Sequence, residues 1–83
     1  MSLEYYKKQM VDLRTKLQKE KDAKKKDNEY YARLVKFAST PSGKASYRKS
    51  KIDRAASHDR QIESIKRQIE SCKDNIARER KRK

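Results

Sequence analysis

Tryptophan is absent from this chain of 83 residues, and cysteine, histidine, proline and glycine occur once each. A single cysteine, Cys72, cannot make an internal disulfide. One histidine with scattered carboxylates makes a poor metal site, so no metal and no cofactor is expected. No apolar run is long enough for a signal peptide or a membrane span, which points to the cytoplasm and against membrane insertion. Hydrophobic residues are 33% of the chain and charged residues 45%, too lean a mixture for a globular core. Low hydrophobicity with high net charge is also the signature of disorder, so an ordered reading needs a positive reason.

That reason is periodicity. In the first half, apolar residues recur three and four apart at Leu3, Tyr6, Met10, Leu13 and Leu17, then at Tyr31, Leu34 and Ala38. In the second half they recur at Ile52, Ala55, Ile62, Ile65, Ile69, Cys72 and Ile76. Alternating steps of three and four keep these groups on one side of a helix and form a coiled-coil seam. Between the halves lies Ser39-Thr40-Pro41-Ser42-Gly43, with the chain's proline and glycine. The fold class expected is all-α: an antiparallel two-helix coiled-coil hairpin, pairing into a four-helix assembly because two helices alone bury little surface.

Helix one is expected over 1–38, about 50 Å long at 1.5 Å per residue, with Ser2 as its N-cap and Glu4 near the positive end of the dipole. The bend occupies 39–44. Pro41 suits the first turn of a new helix with Thr40 as cap, and Ser42-Gly43 offers a second start, so helix two begins between Pro41 and Ala45. Its body runs over 45–80, and 81–83 is a frayed basic tail. Folding the chain at the bend makes antiparallel partners add to about 82. Tyr6 then faces Ile76, Met10 faces Cys72, Leu13 faces Ile69 and Leu17 faces Ile65. Nearer the bend, Tyr30 and Tyr31 face Ile52, and Phe37 faces Ala45. The polar seam residues Glu20, Lys24 and Asp27 fall opposite Ile62, His58 and Ala55. A polar layer at one height costs stability but fixes register and partner number.

Residues that could carry chemistry are few. Cys72 falls on the seam and reads as a buried structural thiol. His58 beside Glu20 and Asp27 could act as a pH switch or metal ligand, against the plainer reading of a seam histidine bonded to an acid. Gly43-Lys44 lacks the spaced glycines and preceding strand of a phosphate loop. No catalytic constellation is present, and two helices make no concave cavity; the chain is not expected to be an enzyme. The pairs Tyr5-Tyr6 and Tyr30-Tyr31 each place one ring on the seam, so packing is favoured over base stacking. Tyr47, among Lys44, Arg48 and Lys49, is the aromatic best placed for an exposed contact.

Twenty-five lysines and arginines stand against twelve acids, a formal charge of +13. Such an excess favours acidic partners. Much of it reads as a solvated surface, because eight acids stand four residues before a basic residue, as in Glu20/Lys24, Glu63/Arg67 and Glu79/Lys83. Candidate phosphate contacts are Lys19, Lys21, Lys24, Lys25 and Lys26, and in the tail Arg78, Arg80, Lys81, Arg82 and Lys83. A third basic run is Lys44, Arg48, Lys49, Lys51 and Arg54. No base-reading element accompanies them, so nucleic-acid binding would be non-specific and salt-dependent.

The start Met1-Ser2-Leu3-Glu4-Tyr5-Tyr6-Lys7-Lys8-Gln9, the Lys/Asp-rich first helix, the bend Ala38-Ser39-Thr40-Pro41-Ser42 and the run from Arg60 to Ile69 together resemble a recurring bacterial segment. It is the N-terminal coiled-coil hairpin found ahead of TIR-type and similar signalling domains in prokaryotic defence proteins, and the likeness covers nearly all the chain. The resemblance implies a cytoplasmic helical module that associates with itself or another helical protein, with nucleotide chemistry left to a downstream domain. The charged ending without a C-cap glycine suggests a piece of a longer protein or a disordered tail. The function expected is therefore a non-catalytic oligomerisation and protein-interaction module. The alternatives are a basic nucleic-acid-binding adaptor and a small helical escort of a secreted partner.

Overall fold

The computed structural model describes residues 2–82 and contains two helices, α1 (Leu3–Phe37) and α2 (Pro41–Lys81), joined by a bend. They lie side by side in a rod of 66 × 14 × 12 Å. None of the described helices is long and apolar enough to cross a membrane.

Each helix starts where its cap dictates. The Ser2 hydroxyl accepts from Tyr5 N at 3.3 Å, and Glu4 sits in the first turn. The Thr40 hydroxyl accepts from Gly43 N at 3.0 Å, and Pro41 occupies the first turn of α2. The second helix thus begins at Pro41, ahead of the 45–80 body expected, because the Thr40-Pro41 cap outcompetes the later Ser42-Gly43 start. Gly43 has a packing role in that cap: a Cβ there would lie 3.0 Å from Thr40 Oγ1. The bend needs no left-handed residue. Ala38 and Thr40 are both extended, the conformation that Pro41 favours in the residue before it. Helix one ends at Phe37, one residue short of the expected 38, and α2 reaches Lys81.

The register is the expected one. Each cross-helix bond involving a side chain joins residues whose numbers add to about 82, within four. Met10, Leu13, Ile65, Ile69 and Cys72 form the core, with Tyr6, Leu17 and Ile76 packed against it. Ile62 is also buried. This cluster fills the open end of the hairpin, distant from the bend. Cys72 is its most enclosed residue, 2% exposed, and its thiol donates to the carbonyl of Tyr6 at 3.1 Å. On α1 the inward face continues without a phase break through Glu20, Lys24, Asp27, Tyr31 and Leu34 to the C-cap Ala38, all half-buried.

On α2 the inward face passes through His58, Ala55 and Lys51. Ile52 is therefore not a seam residue; it is 67% exposed. The cause is helical phase. Stepping back from Ile62 by four to His58 and by three to Ala55 calls for a step of four next, to Lys51. A second step of three, to Ile52, lands one residue and about 100° away from the seam. Tyr30 at 51% and Phe37 at 75% exposed likewise lie outside the interface. The expected facings of Tyr30 on Ile52 and of Phe37 on Ala45 are replaced by an inward line through Tyr31, Ala38 and Lys44.

Candidate functional site

Halfway along the rod the apolar seam gives way to a charged layer. α1 presents Glu20, Lys24 and Asp27 at consecutive inward positions, and α2 presents His58 flanked by Arg54 and Asp59. His58 Nδ1 lies 2.6 Å from Glu20 Oε1, and its Nε2 lies 2.6 Å from Asp27 Oδ2. Lys24 Nζ donates to Asp59 Oδ1 at 2.6 Å. Arg54 Nε stands 3.9 Å from Asp27 Oδ2.

The imidazole is the most enclosed of these groups, its side chain 16% exposed against 26% and 28% for the two carboxylates. A neutral ring has one N–H, whereas an imidazolium donates from both nitrogens. Two carboxylate acceptors on opposite edges therefore select the charged ring. Hydrogen bonding to Asp27 and then to Glu20 raises the His58 pKa above its ordinary value, against the opposing effect of burial. Asp27 moves the other way, below its ordinary value, chiefly through the hydrogen bond from His58. With Lys24, Arg54, His58 and the acids Glu20, Asp27 and Asp59, the layer is close to electroneutral.

The same geometry bears on His58, Glu20 and Asp27 as a ligand set. The two carboxylates engage opposite nitrogens, so the three side chains do not converge on a common point. Among the described residues no cluster of three His, Cys, Asp or Glu side chains is arranged to hold an ion. Every described buried side-chain nitrogen or oxygen has a hydrogen-bond partner.

The expected phosphate contacts separate into groups. Lys19, Lys21, Lys25 and Lys26 are exposed, as are Arg78, Arg80, Lys81 and Arg82. Lys24 is not free, because it is tied to Asp59 across the interface. Lys83 lies outside the described residues. The four-residue acid–base pairs are not formed within 4 Å among the described residues. Intrahelical pairs form three apart instead: Glu63–Lys66, Glu70–Lys73 and Glu79–Arg82. Glu20 and Lys24 turn away from each other because each finds an opposite charge on α2.

Asp59 is the member of the charged layer that the apolar spacing missed. Its position beside His58 and its sign opposite Lys24 were the available signal. Val11, Tyr5, Tyr30, Ile52 and Phe37 remain exposed on the outside of the rod. No family model matches the chain, and no curated protein or solved structure gives a significant match.

Proposed function

We propose that this hairpin is a non-catalytic assembly module, pairing through its open half with a second copy to make a four-helix bundle. The observation that supports this is the thinness of the core. Among the described residues six hydrophobic side chains are buried, none below 2% exposed, while Leu3, Tyr6, Leu17 and Ile76 along the same seam stay half-exposed and Val11 stands 60% exposed. Two helices have no third surface with which to enclose such a stripe; a second hairpin supplies it. The α2 face of the open half is the one without a charge excess, with five acids and five basic residues between 55 and 79. In this reading, which takes up the resemblance noted above, the module is the N-terminal part of a longer bacterial signalling or defence protein, with the chemistry in another domain.

Light scattering and circular dichroism test the assembly. The wild-type chain should show the mass of a dimer or larger, and Ile69→Asp should lose both the mass and the helix content. A wild-type chain that stays monomeric and fully helical at every concentration refutes the reading. A swapped dimer opened at the bend would use the same seam contacts, and crosslinking between differently labelled copies separates it from paired hairpins. The reading frame beyond Lys83 tests the larger-protein component directly.

A further inference from the structure

Apart from the basic tail, the excess of positive charge is densest near the bend. In contrast with the balanced stretch 55–79, the stretch 30–54 holds seven basic residues and one acid, Asp53. Among the described residues, Arg54 is the member of those seven that forms an ion pair. Arg33, Lys36, Lys44, Arg48, Lys49 and Lys51 form no ion pair within 4 Å among the described residues; Arg33 and Lys36 stand beside Phe37, and Arg48 and Lys51 line the other flank with Ile52. The same end carries exposed rings. Phe37 is 75% and Tyr30 51% exposed; seven positions apart, they share one flank of α1 about 10 Å from each other. Tyr47 reaches that flank from α2, where Arg33, Leu34, Phe37 and Tyr47 line a groove of about 440 Å³. Lys36 Nζ sits 5.6 Å from the centre of the Phe37 ring.

We infer that this flank of the bend-proximal end binds single-stranded nucleic acid without sequence choice. Tyr30 and Phe37 offer faces to nucleobases, and the unpaired cations hold the phosphates between them. Other occupants fit less well. A second copy brings the same excess of positive charge. A bilayer entered end-on would meet the polar tip Ser39-Thr40-Pro41-Ser42, with Ile52 on the other flank. An acidic amphipathic helix needs a continuous apolar stripe, whereas here the rings stand apart with cations interleaved. This surface lies away from the open half, so the inference does not depend on the assembly proposed above.

Anisotropy of a labelled oligothymidylate titrated with the full chain is the test. Binding is expected at low salt and should weaken more than about tenfold between 50 and 200 mM salt, as several phosphate contacts require. Tyr30→Ala with Phe37→Ala should weaken it by about tenfold or more, the loss of two stacking faces, with helix content unchanged. If that pair perturbs the helix, Tyr30→Leu with Phe37→Leu keeps apolar area without an aromatic face and should lose the same affinity. Arg33→Gln with Lys36→Gln should flatten the salt dependence, while Lys19→Gln with Lys21→Gln should change affinity by less than about twofold, because both lie more than two turns of α1 away from Tyr30. Wild-type affinity in the aromatic variants, or a larger loss from the Lys19 set, overturns the inference. So does binding to phosphatidylserine vesicles or polyglutamate with none to the oligonucleotide.

Discussion

Glu20 and His58, thirty-eight positions apart in the chain, meet at 2.6 Å across the interface. Asp27, two turns further along α1, closes on the opposite ring nitrogen at the same distance. One imidazole is thereby held between two acids of the facing helix, so a shift of either helix by a turn would break both bonds.

The first prediction concerns pH. His58 has its pKa raised in the folded chain, so its contribution is fully present below the ordinary value of 6.5 and is lost as pH rises through the folded value. Asp27 has its pKa lowered, so its contribution is present above the ordinary 3.8 and is lost as pH falls through the lower folded value. Thermal stability should therefore peak between those two ordinary values and decline on the alkaline side. Circular dichroism melts across pH check this, and His58→Gln should flatten the alkaline decline. An unchanged alkaline limb in that variant would mean that the ring does not carry the effect.

Core substitutions should separate seam from surface. Leu13→Ala removes a buried side chain and should cost about 2–4 kcal/mol, enough to unfold much of a small hairpin. Ile52→Asp places a charge where the isoleucine is already largely exposed, so helix content should not change. Urea titrations of the two variants provide the comparison. Equal damage from both would put Ile52 back on the seam.

At the bend, Thr40→Ala removes the acceptor of the Gly43 N–H. The expected loss is about 1 kcal/mol, with earlier fraying of the start of α2. Amide hydrogen exchange at Gly43 and Lys44 should rise selectively, leaving protection around Ile65 and Ile69 in place.

Cys72 reports on opening of the core. Its thiol is enclosed by the Tyr6 carbonyl and the surrounding apolar side chains, so modification by a thiol reagent should be slow in buffer and fast in urea. Leu13→Ala should accelerate it in buffer. Rapid native modification would show that the open end is not packed as described.

Much of this architecture was legible in the residues. The three-and-four spacing of Leu3 to Leu17 and of Ile62 to Ile76, the caps at Ser2 and Thr40, and the folding point near Pro41 all act locally or through a simple period. Each correction lies near the bend or among charged side chains. Between Lys44 and Ala56 the apolar residues are sparse, and Ala45, Ile52 and Ala56 suggest a phase one residue away from the line through Lys51 and Ala55. α2 is unbroken over 41 residues, so the strong isoleucine stripe imposes its phase on this weak stretch. Ile52 is turned outward as a result.

The sequence by itself determined the two helices, their caps, the place of the bend and the pairing of the open half, because these follow from backbone preferences and from where apolar groups repeat. Only the tertiary structure decided that Lys24 reaches Asp59, that His58 is held by two acids, and that Tyr30 and Phe37 stand clear of the interface. The physical reason is that long charged side chains choose among several neighbours within reach, and that the rotation of each helix near the bend is set by packing some 15 Å or more away, carried along a stiff helix at 1.5 Å per residue.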